Sequence, residues 1–404
     1  MSDTLSETTS ETTSDPDVQR VTALVDRLLA EHPPGSTERA AFLGAQFDLG
    51  LAWVQFPEGH GGLGLSPKLN KTIFERIGHA GGPIGGVWNP IGYGMCGPAL
   101  EIHGTDEEKQ LLRPMFTDEH IWCQLFSEPG AGSDVASLSM RAERDGDEWV
   151  VNGQKVWTTL AHIARYGLLI ARTDPELPKH RGITAFIVDM HAPGVEVRPL
   201  RQITGESEFN EVYFTDVRIP DAMRLDDVGR GWAVSITTLM NERVSIGGTT
   251  PPRNSGPIGQ LLKAWKASGI DDRARRDEFT QLWVQAEVNR LTNMRAAANR
   301  KAGTPGPEGS VSKIAMAELN KLIYSFAVDI TGPAGMLISS YDVHSDKMTL
   351  FGDDLPKNFL RARANSIEGG TTEIMKNILG ERVLGLPGDI RVDKELAWSK
   401  VPRS

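Results

Sequence analysis

The chain is poor in the residues that mark several simple function classes. Cysteine is almost absent, with only Cys96 and Cys123, and their separation gives neither a disulfide framework nor a zinc site. There is no basic excess: 43 Lys and Arg against 53 Asp and Glu leave a formal charge of −10, the wrong sign for holding nucleic-acid phosphates. No apolar run comes near the roughly 18 residues that a membrane span needs. The opening MSDTLSETTSETTSDPD lacks the basic and apolar regions of a signal peptide. These gaps exclude nucleic-acid binding, membrane spanning and disulfide stapling, and leave a cytoplasmic metabolic protein. Its 404 residues allow two or three domains at ~150 residues each.

What is present falls into three textures. Residues 1–20 are acidic and rich in Ser and Thr, and read as a disordered tail. Helical sequence follows over 21–121, where Val21, Leu24, Val25, Leu28 and Leu29 share one face. Thr105 and Glu108 in this region match a capping box. Residues 122–225 change to short apolar runs between turn residues, such as Tyr166–Arg172 and Ile183–Val188. That density predicts a compact β domain, sandwich or barrel. Residues 226–388 are helical again, with stripes at Trp232/Ile236/Leu239/Met240/Arg243, Phe279/Leu282/Trp283/Ala286, Leu319/Leu322/Ile323/Phe326 and Ile374/Ile378/Leu379. These predict a four-helix bundle, and 389–404 read as a second tail.

The stretch Trp122–Trp157 organises the rest. Its core, Ser127-Glu128-Pro129-Gly130-Ala131-Gly132-Ser133-Asp134, has little side chain to keep a phosphate or a flat ring away from its backbone N–H groups. Alternation at Leu138, Met140 and Ala142, a turn at Asp145-Gly146 and a second turn at Asn152-Gly153 predict a small antiparallel platform leading to Lys155-Val156-Trp157-Thr158-Thr159. On these residues alone, a ligand platform and a surface hairpin with an ordinary glycine turn fit equally.

Four ordered motifs decide between them. SEPGAGSDVAS, VNGQKVWTT, FNEVYFTDVRIP and GGTTEIMKNILGERVLGLP together resemble the acyl-CoA dehydrogenase family, from about Val21 to Pro387. The resemblance implies a mainly α fold with a helical N-terminal domain, a central β domain and a C-terminal four-helix bundle, assembled as a homotetramer or heterotetramer. It implies FAD, an acyl-CoA substrate dehydrogenated between Cα and Cβ to the trans-2-enoyl-CoA, and an electron-transfer flavoprotein as acceptor. Carried over by position, Gln124, Phe126 and Ser127 would line the flavin ring, and Gly132 and Ser133 would meet the pyrophosphate or the substrate mouth. Trp157 and Thr159 would cover the flavin near N5, while Thr371 and Glu373 would lie on the adenine side. A flavin oxidase or monooxygenase, or a non-catalytic subunit of a mixed assembly, shares these motifs.

The chain departs from the commoner family pattern at the base. Aligned on Thr371-Thr372-Glu373-Ile374, the usual glutamate position holds Gly369, and Glu368 stands one residue early. Glycine takes no proton, though its N–H could bond a thioester oxygen. Some members place the base in a Glu-Arg pair on the first bundle helix, and Glu242-Arg243 match it. Glu242 is therefore the first candidate and Glu368 the second. Partial burial would raise the Glu242 pKa, with Arg243 opposing. A second departure concerns segments that reach a neighbouring subunit's FAD in the family. The first is not recognisable around Asp271–Arg276, and the second carries Asp329 and Pro333 where Gln and Gly are usual.

Overall fold

The computed structural model describes residues 15–247, 251–301, 308–338, 352, 354–390 and 392–402. Most of the expected N-terminal tail lies outside them. Helix α1 (Pro16–Glu31) starts at Pro16 rather than Val21, because the Asp15 carboxylate accepts from the Asp17 N–H at 2.9 Å and Pro16 takes the first helical position. Val21, Val25 and Leu28 are its buried face. The layer continues with α2 (Arg39–Asp48), α3 (Leu69–His79), α4 (Gly97–His103), α5 (Asp106–Lys109) and α6 (Leu112–Phe116). The capping box at Thr105 and Glu108 forms in both directions.

A buried asparagine joins this layer to the β domain. Asn89 is fully buried and uses its whole amide. Nδ2 donates to Met115 O at 2.9 Å and His120 O at 3.0 Å, while Oδ1 accepts from the N–H groups of Gly92 and Trp122 at 3.2 and 3.0 Å. It thereby fixes the start of a π-helical turn, Gly92–Cys96, and the first residue of strand β1 (Trp122–Leu125).

Strands β2 (Arg141–Asp145), β3 (Glu148–Thr159), β4 (Tyr166–Arg172), β5 (Ile183–Asp189), β6 (Val195–Pro199), β7 (Phe209–Pro220) and β8 (Arg224–Leu225) complete one eight-stranded mixed sheet in the order β6-β7-β3-β2-β4-β5-β8, with β1 parallel to β4. Alternate residues of β4 and β5 serve two cores. Leu168, Ile170, Ile183 and Ala185 pack with the N-terminal helices, and Leu169, Ala171, Phe186 and Val188 fill the β domain. Burial on both faces is why these strands read as unbroken apolar runs. Asp145-Gly146 does make the β2–β3 turn, with Gly146 at φ +64°. Asn152-Gly153 does not make a second turn: β3 runs straight through it and shifts register there against β7. Gly153 takes φ +148°, and Asn152 exchanges hydrogen bonds with Asp216 of β7, so the pair forms a bulge in one long strand.

The helical remainder comprises α7 (Gly231–Gly247), α8 (Gly256–Ser268), α9 (Arg273–Lys301), α10 (Glu308–Thr331), α11 (Leu355–Arg361) and α12 (Thr372–Arg382). Ile258, Leu261, Leu282, Leu319, Ile323 and Phe326 form the bundle core. Leu322, expected on the packed stripe of α10, is half exposed, and α12 buries Thr372 and Met375 rather than the expected Ile374 stripe. Helix α7 differs most. It buries Val234, Ser235 and Thr238, and leaves Ile236 and Met240 of the expected apolar stripe exposed. Ser235 and Thr238 can be buried because each hydroxyl donates to the carbonyl four residues earlier, at 2.7 and 2.9 Å. One salt bridge, Lys357 to the buried Glu206 at 2.5 Å, ties α11 to the loop before β7.

Replacing Asn89 with Ala removes four hydrogen bonds at once. We expect a loss of about 2–4 kcal/mol, read as a lower denaturation midpoint, with a local opening at residues 89–96 and 122 in hydrogen exchange.

Candidate active site

The glycine-rich loop is built around one buried ion pair. Lys155, on β3, is fully buried, and its Nζ donates to Glu128 Oε1 at 2.9 Å and to Phe126 O at 3.0 Å. Glu128 accepts in addition from the Ser139 N–H at 2.7 Å, the Ser139 hydroxyl at 2.9 Å and the Met140 N–H at 3.0 Å. Every lone pair that burial would strand is thus used. Burial would raise the Glu128 pKa, but Lys155 and the two N–H donors outweigh it and hold the carboxyl below its ordinary 4.5. Burial pulls the Lys155 ammonium below its ordinary 10.5, against the pull of Glu128. Around this pair the Glu128–Ala131 turn closes with 3.0 Å bonds in both directions. Pro129 sits at its second position, where a fixed φ favours the turn.

The loop lies beside the strand that presents Trp157. Val156 N–H donates to Ser127 O at 2.9 Å, which puts Ser127 next to Trp157. A register shift between Lys155 and Thr158 lets both residues face inward while Trp157 turns outward. Trp157 adopts φ +60°, a strained setting for an aromatic residue, and 58% of it is exposed. An indole held strained and largely uncovered is a platform waiting for a planar partner. Gly132 and Ser133 are exposed, and a Cβ on Gly130 or Gly132 would meet nothing within 4 Å. These features fit the flavin that the resemblance implies. Gln124 on β1 and Thr159 on β3 are half-buried. Phe126 differs from expectation: its ring is buried in the core, which leaves only its backbone toward the loop.

The second half of the site comes from the bundle. Thr371 caps α12, its hydroxyl accepting from the Ile374 N–H at 3.2 Å, and Glu373 lies in the first turn. Gly369 and Gly370 precede them at φ +61° and +94°, in the left-handed region that favours glycine. Glu368 is engaged. Arg361 grips both its oxygens at 3.1 and 2.7 Å, and Asn365 Nδ2 donates to Oε1 at 2.8 Å. A carboxylate so clamped is a structural anchor. Glu242 is half-buried, about 40° around α7 from the buried Thr238 and about 60° from Leu239. It therefore lies on the buried face of α7, about 20° from Ser235 and about 120° and 160° from the exposed Ile236 and Met240. Lys313 of α10 feels the charge of both candidate carboxylates. It donates to Asn365 O at 2.8 Å, and burial lowers its pKa while Glu368, Glu373, Glu318 and Glu242 act against that. The Arg243 side chain lies outside the described residues.

Sequence reading missed the residues that hold these groups. Lys155 and Glu128 each stand inside a quoted motif, but 27 positions apart, and nothing local marks them as partners. Arg361 and Lys313 carry no signal beyond helical spacing. Arg275 and Asp329, in the two departing segments, pair with each other at 3.0 Å.

Comparison with known proteins bears on the whole chain. Family models described as the acyl-CoA dehydrogenase N-terminal, middle and C-terminal domains match residues 19–119, 123–217 and 229–384. The chain is 36% identical to acyl-CoA dehydrogenase IpdE1 of Mycobacterium tuberculosis over 85% of its own length and 86% of that protein. It is similar to the ChsE4-ChsE5 complex of the same organism, with TM-score 0.68 and 26% identity, covering 93% of this chain and 99% of that one. It shares its fold with a structure titled Tcur3481-Tcur3483 steroid ACAD, at TM-score 0.70 and 24% identity, covering 92% and 97%.

Breaking the buried pair from one side leaves an uncompensated charge. Lys155→Met and Glu128→Gln are each expected to cost about 3–5 kcal/mol, and the double variant less than their sum. Because the folded Glu128 pKa is lowered, its contribution is full above pH 4.5 and is lost as pH falls through the folded value. Glu128→Gln should remove that part of the acid destabilisation, measured as the denaturation midpoint against pH.

Proposed function

The chain belongs to the acyl-CoA dehydrogenase family of oxidoreductases, and from that premise we propose that it binds FAD and removes hydrogen from Cα and Cβ of an acyl-CoA thioester to give the trans-2-enoyl-CoA, with Glu242 as the base. The observation that carries this reading is the placing of the two carboxylates: Glu368 is clamped by Arg361, whereas Glu242 is half-buried on the inward face of α7 beside Ser235 and Thr238. FAD, when bound, supplies an acceptor for the hydride that leaves Cβ. The chain would hold it with residues 127–131 of the loop, the backbone at Phe126, and Gln124, Trp157 and Thr159, would meet its adenine side with Thr371 and Glu373, and would turn Gly132 and Ser133 toward its pyrophosphate or the substrate mouth.

The protein's own part is proton transfer and charge stabilisation. A thioester α-proton is weakly acidic, so its removal needs a base in contact and a donor to the developing enolate oxygen. The Glu242 carboxylate takes the Cα proton. The Gly369 N–H, in a turn anchored by Glu368, Arg361 and Asn365, donates to the thioester oxygen. Electrons then pass to an electron-transfer flavoprotein.

Assembly belongs to the same proposal. Helix α9 exposes Val284, Val288, Leu291 and Met294 at positions that repeat every three to four residues, an apolar stripe that a partner bundle would cover. The Arg275–Asp329 pair occupies, within this chain, the two segments that would otherwise reach a neighbour's cofactor. This favours a heterotetramer with an unlike subunit over a homotetramer, in line with the relative whose structure is a two-component complex.

Glu242→Gln should retain flavin and slow its anaerobic reduction by roughly 10²–10⁴-fold, whereas Glu368→Gln should mainly lower stability. The measurement is stopped-flow bleaching with a panel of butyryl-, isobutyryl-, octanoyl-, palmitoyl- and steroid side-chain-CoA. Normal reduction by Glu242→Gln sinks the assignment, and rapid reoxidation by oxygen with peroxide release would favour an oxidase. Val288→Asp should reduce the assembled mass in light scattering.

A further inference from the structure

After α12 the chain does not trail away. Residues 393–401 return to the β domain and dock against the β4–β5 loop. Trp398 N–H donates to Leu177 O at 2.9 Å, Ser399 N–H to Pro175 O at 2.8 Å, and Ala397 bridges to Pro178. The matched family domains end at residue 384, so this segment lies beyond them. Three contacts extend from it and its dock to the glycine-rich loop. Trp398 Nε1–H donates to Ser137 O at 3.3 Å. The Trp398 ring lies 4.8 Å from the guanidinium of Arg172, and Arg172 Nη2 donates to Ala136 O at 2.7 Å and Leu138 O at 3.3 Å. Lys179 bridges Asp134 of the loop and Asp393 of the tail, at 2.8 Å each.

The loop therefore has two separate anchors. Its first half, Ser127–Ala131, is held from inside the β domain by Glu128 and Lys155. Its second half, Asp134–Leu138, is held through Arg172 and Lys179 by the C-terminal segment. Asp134 has one further tie, accepting from the Ser137 hydroxyl at 2.6 Å. Between the anchors stand Gly132 and Ser133, exposed and without packing of their own.

We propose that Trp398 and Asp393 are positioning residues for acyl-CoA: they fix the second half of the loop at the substrate mouth, while flavin retention depends on the first half. This rests on the proposed function. Its consequence is a split that a general packing role would not give. Losing the tail should raise KM for the acyl-CoA and leave kcat and flavin content alone, because the base and the buried anchor are untouched.

The test compares Trp398→Ala, Trp398→Phe and Asp393→Asn with wild type in the full-length holoenzyme. Backbone hydrogen exchange is followed first, without substrate. Trp398→Ala should lose protection over 132–138 and keep it over 123–128. Steady-state kinetics with whichever acyl-CoA of the panel bleaches the wild type should show KM raised roughly tenfold. Trp398→Phe, which keeps a ring over Arg172, should recover most of it, and Asp393→Asn should show a smaller rise. Unchanged exchange and KM, loss of flavin in parallel, or a fall in kcat at constant KM would each overturn the proposal. If Trp398→Ala does not fold, Asp393→Asn carries the same readouts. If no acyl-CoA bleaches the wild type, the functional reading fails, and the exchange pattern alone decides whether the tail holds the loop.

Discussion

The site depends on a lysine and a glutamate that could not be buried singly. Lys155 and Glu128 leave water together, and the desolvation that would expel either one is offset only because each completes the other's hydrogen bonds. The pair converts a loop with almost no side-chain packing into a fixed surface. Pro129 and the glycines make the loop open, and the ion pair makes it rigid. Neither feature alone would present N–H groups and an indole at a constant spacing.

Rigidity on the β side has a counterpart in the bundle. Glu368, Arg361 and Asn365 form a charge-assisted knot that sets the Gly369–Gly370 turn, and Lys313 ties that knot to α10. The two halves of the site thus share a design, in which a salt bridge holds a glycine-containing turn. The proposed flavin platform and base stand apart from these anchors, Trp157 on a strained bulge and Glu242 on the inward face of α7. Helix α7 buries Ser235 and Thr238 beside Val234, packs Trp232 and Leu239 against the core, and leaves Ile236 and Met240 open.

Much of this was legible in the sequence. The capping box at Thr105, the continuous apolar runs of β4 and β5, and the four ordered motifs located the domains and the loop, because each is a local pattern with a local cause. The base could be narrowed to Glu242 or Glu368 by position. What could not be read was long-range pairing: Lys155 with Glu128, Arg361 with Glu368, Lys179 with two aspartates. Helical periodicity also misjudged part of α7, since it reports which residues share a face and not how much of that face meets protein. Asn152-Gly153 has the composition of a turn, and its conversion to a bulge was decided by pairing with Asp216 on a strand 64 residues away.

The central claim is that the buried pair holds the cofactor platform and that α7, not the Glu368 turn, supplies the proton acceptor. The most direct measurement is a crystal structure of the holoenzyme with a non-reducing acyl-CoA analogue. It should place a Glu242 carboxylate oxygen about 3–3.5 Å from the thioester Cα, with Glu368 still on Arg361. A structure in which Glu368 has left Arg361 to reach Cα, or in which a partner subunit's residue occupies that position, would contradict it.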